Sequence, residues 1–273
     1  MTIPAIFLVD NGSLRAEATL ALRRLAAEMS VREGIRIEAV SLLHSHKISS
    51  DKLGGKPATI VKRRMRELIA AGQRDFVILP LFLGPSLAIT DYLPNVMKEL
   101  RLLTPDLRVR IAEPLAGPDV ARPDGRLAMI LSQHLLPFLE QEPGSSVALI
   151  DHGTPIEPVN TLRNAVAAQL AQQLGRAVQP CSMERRDGPE YAFNEPLLEN
   201  LGAVDRGRGK GGQLTLAMFF LLPGRHAGAG GDVAAIADGL IQRGSYDAVK
   251  MTPLLAESPR LQEILSDRLR AVL

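Results

Sequence analysis

The sequence predicts an α/β fold with two similar lobes, each a four-stranded parallel sheet flanked by helices. Short apolar runs rich in Val, Ile and Phe alternate along the 273 residues with segments of helical periodicity. This alternation favours parallel strands that are joined by right-handed helical crossovers, with helices on both faces of each sheet. The same order of landmarks then occurs a second time, which indicates two lobes.

Eight apolar runs are predicted to form strands. They lie at about residues 3–9, 36–43, 76–83, 107–112, 145–150, 177–183, 214–222 and 247–252. Two segments have a clear amphipathic period, AEATLALRRLAAEM (16–29) and ATIVKRRMRELIAAG (58–72). Their apolar faces are Leu22, Leu25, Ala26 and Met29 in the first, and Val61, Met65, Leu68 and Ile69 in the second.

The repeat covers the whole chain in order. LVDNGS (8–13) has a near copy in LIDHGT (149–154), so that Gly12 recurs as Gly153. Phe82-Leu83 recurs as Phe220-Leu221, and Pro114-Leu115 recurs as Pro253-Leu254. Each landmark returns after about 140 residues, and a nearly constant offset indicates an internal repeat. It predicts a first lobe at 1–142 and a second at 143–273, with the boundary in the polar stretch EQEPGSS (140–146).

Composition excludes several classes of function. The absence of an apolar run long enough to span a membrane, and of a signal-like N-terminus, predicts a cytoplasmic protein with no membrane partner. A net charge of +2, 4% aromatic residues and no Trp disfavour nucleic acid. No phosphate loop of the G-x-x-x-x-G-K-(S/T) type is present, so no nucleotide is expected. The single Cys181 leaves His and carboxylates as the candidate metal ligands.

Three polar side chains follow strands of the second half. His152 ends its first strand, Glu184 follows the second in QPCSMERRD, and His226 follows the third in FFLLPGRHAGAGGD. Functional groups gather at the carboxyl ends of strands in such sheets, so the three are expected on one rim. Two imidazoles and a carboxylate suit Co²⁺, Ni²⁺, Fe²⁺ or Zn²⁺, and they can also transfer protons near neutral pH. The alternative is a pair of unrelated loop histidines that cap strand ends.

The first half keeps the landmarks without these ligands. Its corresponding positions, in the order His152, Glu184 and His226, are Asn11, His44 and Ala88. On a strand, the H-x-H pair of His44 and His46 would face one side and could hold a second metal. As loop residues, the pair would instead help to bind an acidic substrate.

The remaining polar features have less specific interpretations. His134 lies in the apolar run LSQHLLPFL, which is typical of a packed or helix-surface histidine. The glycine-rich stretches AGAGG (227–231) and RGRGKGG (206–212) can approach a ligand closely, and helix amides that follow the first could bind an anion. The alternative for both stretches is that they are flexible turns without a ligand.

The motifs resemble those of the CbiX/SirB-type sirohydrochlorin chelatases, relatives of the class II tetrapyrrole chelatases that include ferrochelatase. LIDHGT resembles the family's strand end in His-Gly-Ser/Thr, and FFLLPGRHAG is similar to its Leu-x-Pro-Gly-x-His motif. Glu184 matches an acidic residue between them, while LVDNGS, PLFLGPS and EPLAGP echo the landmarks in the first half. The chain departs from the pattern because the histidine pair is expected in the first half of long bacterial members. Two insertions, SHKISSDKLGGKP (45–57) and DRGRGKGG (205–212), also separate it from short members.

The resemblance implies an enzyme that inserts Co²⁺ or Fe²⁺ into sirohydrochlorin, with Ni²⁺ as a further candidate metal. It implies that His152, His226 and Glu184 hold the metal and act in catalysis. Sirohydrochlorin is a polycarboxylate, so Arg225, Arg185 and Gly224 are the candidate residues for binding the ring. Further cations expected near it are Arg186, Arg206, Arg208 and Lys210.

Two other functions fit parts of the pattern. A protein that binds a tetrapyrrole or a metal without turnover would need the same rim. LIDHGT also resembles the L-x-R-H-G-x-T strand end of histidine phosphatases, but that chemistry needs an arginine beside the histidine, and Asp151 stands there. The sequence leaves the oligomeric state open.

Overall fold

The computed structural model describes residues 3–202, 212–228 and 230–273. The chain divides into two compact units, Met1–Pro118 with Gln262–Leu273 and Asp119–Leu261. Each unit contains one four-stranded sheet. No helix within the described ranges is long and apolar enough to cross a membrane.

The first unit has the strand order β2-β1-β3-β4, with every neighbouring pair parallel. Its strands are β1 (Ala5–Asp10), β2 (Ile37–Ser41), β3 (Asp75–Pro80) and β4 (Arg108–Ile111). Its helices are α1 (Ala16–Glu33), α2 (Val61–Ala70) and α3 (Leu93–Leu103). The faces predicted for α1 and α2 pack inward, although Leu68 and Ile69 of α2 are only partly buried.

The second unit has the equivalent parallel order β6-β5-β7-β8. Its strands are β5 (Ser146–Asp151), β6 (Gln179–Ser182), β7 (Gln213–Met218) and β8 (Ala248–Met251). Its helices are α4 (Arg126–Gln141), α5 (Glu157–Leu174) and α6 (Asp232–Gln242), while α7 (Pro259–Arg270) begins here and ends in the first unit. The predicted fold class, two parallel four-stranded sheets flanked by helices, is confirmed.

The compact units have other boundaries than the sequence halves 1–142 and 143–273. Helix α4 packs against α5 and β7, so it belongs to the second unit. The end of α7 belongs to the first unit, where Arg268 Nε donates to the carbonyl of Pro114 at 3.1 Å. The division into lobes at 1–142 and 143–273 therefore describes the sequence repeat, and as a domain division it stays a prediction.

The predicted third strands end too late in both halves. β3 ends at Pro80 and β7 at Met218, although the apolar runs continue beyond them. The residues after each strand turn toward the end of the fourth strand of the same sheet. The amide of Leu115 donates to the carbonyl of Phe82, and the amide of Leu255 donates to the carbonyl of Phe220, each at 2.9 Å. Those bonds make Leu255 the structural equivalent of Leu115, so the predicted pairing with Leu254 is off by one position.

The turn after the first strand of each unit requires glycine. Gly12 has φ +88° and Gly153 has φ +93°, in the left-handed region that side chains rarely adopt. A Cβ on Gly12 would lie 1.8 Å from the carbonyl oxygen of Leu43, and one on Gly153 would lie 1.9 Å from that of Glu184. The repeated Asp-x-Gly sequence is therefore a packing requirement of both sheets.

These contacts also correct one correspondence between the halves. The amide of Glu184 donates to the carbonyl of His152 at 3.2 Å, and the amide of Leu43 donates in the same way to Asn11 at 3.1 Å. Glu184 is thus the structural equivalent of Leu43, and the predicted pairing with His44 is off by one position. His44 is the equivalent of Arg185.

The aspartate before each turn is buried, but only one has a counter-ion. Asp151 lies 3.7 Å from Arg163 of α5. Helix α1 starts at Ala16 and α5 at Glu157, so the position equivalent to Arg163 is Leu22. Asp10 makes no ion pair with any described residue, and its Oδ1 has no hydrogen-bond partner. Burial raises the pKa of Asp10 from 3.8 to about 6, against the effect of a hydrogen bond with Ser41.

Asp10→Asn should stabilise the first unit at neutral pH. Because the folded pKa of Asp10 is raised, the folded chain keeps a proton that the unfolded chain releases. The free energy of unfolding should therefore fall as pH rises from about 4 to about 6. Asparagine does not titrate, so it removes that pH dependence. We therefore expect the free energy of unfolding of Asp10→Asn to be higher than that of the wild type by about 2–3 kcal/mol at pH 7.5 and by much less at pH 4. Urea unfolding followed by circular dichroism measures this, and an equal difference at both pH values would contradict it.

Candidate metal centre

The three side chains predicted for the rim lie together at the carboxyl end of the second sheet. His152 directly follows β5, Glu184 follows β6, and His226 lies in the loop between β7 and α6. The ring centroids of His152 and His226 are 4.5 Å apart, with the ring planes at 69°. Nε2 of His152 is 3.3 Å from Oε1 of Glu184. The structure thus brings the three together, while their catalytic and metal-binding roles stay predictions.

The orientation of both imidazoles is set through Nδ1. Nδ1 of His226 lies 2.7 Å from Oδ2 of Asp232, and Nδ1 of His152 lies 3.1 Å from the carbonyl oxygen of Gly153. The partner of His226 is a carboxylate, so the neutral ring of His226 carries its proton on Nδ1 and leaves its lone pair on Nε2, the atom that would face a metal. His152 has an acceptor oxygen near each nitrogen, the Gly153 carbonyl at Nδ1 and Glu184 at Nε2.

The rim is open to solvent. The side chains of His152, His226 and Glu184 are 45%, 33% and 60% exposed. Within the described ranges, no group of three His, Cys, Asp or Glu side chains is already arranged as a metal site. A pair of adjacent imidazoles with one exposed carboxylate suits an ion that binds through few protein ligands and exchanges, rather than a closed structural site.

A buried polar network supports the turn that carries His152. Oδ1 of Asp151 accepts hydrogen bonds from the amide of Gly153 at 3.1 Å and from Oγ of Ser182 at 2.6 Å. Arg163, only 1% exposed, donates to Ser182 Oγ at 2.5 Å and to the carbonyl of Asn194 at 3.2 Å. Burial raises the pKa of Asp151, and Arg163 and Ser182 act against that rise. The network fixes the strand end, so the position of His152 is determined by buried groups.

The loop that carries His226 closes on the start of α6. The amides of Asp232 and Val233 donate to the carbonyls of Arg225 and His226, at 3.2 and 3.1 Å. A Cβ on Gly231 would lie 2.8 Å from the carbonyl oxygen of His226, so a glycine is needed there. The expectation that helix amides after AGAGG bind an anion is wrong for these two amides, because both are already used.

Two of the residues predicted to bind the ring are engaged within the unit. Arg185 donates to Oε1 of Glu195 at 2.8 Å, a bond that lowers the pKa of Glu195. It also donates to the carbonyl of Gly188 at 3.2 Å. The amide of Gly224 donates to the carbonyl of Ala227 at 2.7 Å. Arg185 and Gly224 therefore shape the loops of the rim.

Arg225 and Arg186 are more accessible. The Arg225 side chain is 75% exposed, and its Nε lies 3.5 Å from Asp232 Oδ2. The exposed Arg186 lies over the ring of Tyr191, 5.9 Å from its centroid. Arg206, Arg208 and Lys210 lie outside the described residues, as do most of RGRGKGG (206–212) and one residue of AGAGG (227–231).

Two histidine predictions concern other parts of the chain. His44 and His46 are exposed and belong to a loop with a 3-10 turn at Ser45–Lys47, after β2 has ended at Ser41. They are not on a strand, so the argument that strand geometry turns both histidines to one side, where they could hold a second metal, does not apply. His134 is half-buried on α4, with Nδ1 3.2 Å from the carbonyl of Pro253, and burial lowers its pKa. It is a packed helix histidine, as the sequence predicts.

Asp232 is a functional candidate that the sequence reasoning missed. It fixes His226 at 2.7 Å, yet it looks like an ordinary acidic residue in the first turn of a helix. The available signal was its place shortly after His226 in the sequence, directly after the glycines that fold the loop back.

The two parallel four-stranded sheets form the fold that solved structures of chelatases also have. SirB from Bacillus subtilis with Fe³⁺ has a TM-score of 0.69 at 14% identity, covering 98% of this chain and 95% of that one. SirB from Bacillus subtilis subspecies spizizenii in complex with cobalt also has 0.69, at 12% identity, covering 98% and 94%. A multi-domain protein with chelatase similarity from Deinococcus radiodurans has 0.62 at 14% identity, covering 97% of this chain and 54% of that one.

The CbiX family model matches residues 5–121. The match covers less than half of the chain, and the whole chain has the fold of the SirB structures. The resemblance found in the sequence motifs is thus confirmed. No curated protein matches the sequence at a significant level.

Asp232→Ala should weaken metal binding at the rim without unfolding the unit. Loss of a carboxylate that orients an imidazole typically lowers metal affinity by about 10- to 100-fold. We expect that loss in a Co²⁺ titration, together with a change in the ligand-field absorbance of the bound ion. Asp238→Ala, an exposed change on the same helix, should bind as the wild type does. Equal affinity of the two variants would contradict a positioning role for Asp232.

Proposed function

We propose that the protein is a metal chelatase that inserts Co²⁺ or Fe²⁺ into sirohydrochlorin. The observation that carries the proposal is the pair of imidazoles, His152 and His226, 4.5 Å apart at the carboxyl rim of a parallel sheet. The chelatase fold supports it, and so do the Fe³⁺ and cobalt found in structures of SirB. Ni²⁺ is a further candidate, because borderline ligands of this kind accept several divalent ions.

The reaction exchanges one divalent ion for the two protons on the inner nitrogens of the ring. Nε2 of His152 and of His226 would hold the entering ion weakly, so that it sheds water and can still leave for the ring. Glu184, 3.3 Å from His152, would accept one of the two pyrrole protons, and the other would pass to solvent at this open rim. Asp232 would keep the proton of His226 on Nδ1 throughout. Arg225, the most exposed of the three proposed ring-binding residues, would contact a ring carboxylate.

The site disfavours a histidine phosphatase. Arg163, the guanidinium that pairs with Asp151, is 1% exposed and cannot reach a phosphate at His152. Nε2 of His152 instead faces the carboxylate of Glu184, which would repel an anionic ester. Among the described residues, Arg163 is therefore not available as the cationic partner that phosphoryl transfer needs, and we infer that His152 acts as a ligand or base.

The test is metal insertion under anaerobic conditions, followed by the change in tetrapyrrole absorbance with Co²⁺, Fe²⁺ and Ni²⁺ in turn. His152→Ala and His226→Ala should each lower the rate by about 100-fold or more, since each removes one of the two imidazole ligands of the entering ion. His134→Ala removes a histidine from the same unit but not from the rim, and it should keep the wild-type rate.

Two results would refute the proposal. If both rim variants match the wild type, the rim does not carry the reaction. If the wild type binds sirohydrochlorin at one ring per chain but gives no rate above that of ring and metal alone, the protein is a carrier.

A further inference from the structure

The first unit contains an open cavity of about 520 Å³ that is separate from the rim residues of the second unit. One wall is α1, another is the edge strand β2, and a third is the segment at 56–59, which includes the end of SHKISSDKLGGKP (45–57). We call it the α1–β2 cavity. Its volume lies in the range of small-molecule sites.

The lining of the α1–β2 cavity is positively charged. Arg23, Arg36 and Lys56 face it with one acid, Glu38. Glu38 is neutralised by Arg64, which donates to both of its carboxylate oxygens at 2.6 and 3.1 Å. Its Oε2 also lies 3.9 Å from Nη2 of Arg36, whose side chain is exposed. Lys56 makes no ion pair with any residue that the structure describes. The cavity therefore has an excess of positive charge that an anion would balance.

Two hydroxyls in the lining have no hydrogen-bond partner. Thr19 is 5% exposed, and its Oγ1 is buried without a partner, as is Oγ1 of Thr59 on the opposite wall. A buried hydroxyl without a partner is unfavourable, and each can donate one hydrogen bond to an acceptor oxygen. Unused donors and cations in one cavity indicate a ligand that has several acceptor oxygens.

Arg23 holds the third wall in place. Its guanidinium donates to the carbonyls of Leu53, Lys56 and Pro57 at 3.1, 2.8 and 3.0 Å. The position equivalent to Arg23 in the second unit is Asn164, which pairs with Arg163 instead. The wall thus rests on a contact that the first unit alone makes, in a segment where this chain departs from the chelatase pattern.

We propose that the α1–β2 cavity binds a small oxyanion ligand, a phosphate or a carboxylate. Arg36 and Lys56 supply the charge at its mouth. The hydroxyls of Thr19 and Thr59 have almost no solvent-accessible surface in this structure, and they donate to the ligand oxygens after their side chains rotate toward the cavity. Arg23 positions the wall rather than the ligand. The inference does not rest on the proposed chelatase function.

Calorimetric titration of the full chain with inorganic phosphate, and separately with citrate, tests the proposal at constant ionic strength in chloride. The wild type should bind one of the two saturably, at one site per chain, and the probe that binds identifies the class of anion. Arg36→Gln/Lys56→Gln should weaken that binding about tenfold, and Thr19→Val, which keeps the shape and removes the hydroxyl, should weaken it severalfold.

The matched control is Arg24→Gln/Lys52→Gln, which removes the same charge from exposed positions of the same unit that do not line the cavity. It should bind as the wild type does, and so should His152→Ala, which separates this site from the rim. No saturable binding of either anion would overturn the proposal. If Arg24→Gln/Lys52→Gln weakened anion binding as much as Arg36→Gln/Lys56→Gln, that result would also overturn the proposal, because the net charge of the chain would then explain the loss of affinity.

Discussion

The structure depends on one tight turn, the glycine that follows the first strand of each unit. The turn presses against the end of the second strand so closely that a Cβ on Gly153 would lie 1.9 Å from the carbonyl oxygen of Glu184. The same contact fixes the register between His152 and Glu184, whose backbones are hydrogen-bonded at 3.2 Å. Backbone packing therefore decides that residues at these two positions lie next to each other. What they do depends on the side chains.

The two units use this turn with different side chains. In the second unit, Arg163 neutralises the buried Asp151, and His152 follows it at the rim. In the first, Asp10 is buried without a counter-ion and Asn11 follows it. Asparagine is a poor ligand for a borderline metal and is not a base. The CbiX match covers residues 5–121, the part with Asn11. The family model thus matches one unit, while the residues of the proposed chelatase chemistry lie in the other.

The fold and the meeting of the rim residues were predictable from the sequence, for a reason that follows from topology. Parallel strands bring their carboxyl ends to one edge, so His152 and His226 could be placed together although they are far apart along the chain. Details that depend on side-chain contacts were not predictable. The apolar run beyond Met218 gave no sign of where β7 ends, because that loop is packed as well. The role of Asp232 depends on how a glycine-rich loop folds back, which periodicity does not report.

The residue that differs between the two turns can be exchanged to find which unit carries the chemistry. The rate of Co²⁺ insertion into sirohydrochlorin is compared between His152→Asn, which gives the second unit the residue of the first, and Asn11→His. We expect a loss of about 100-fold or more for His152→Asn and the wild-type rate for Asn11→His. A wild-type rate in His152→Asn would contradict this expectation and would show that the chemistry does not belong to the second unit.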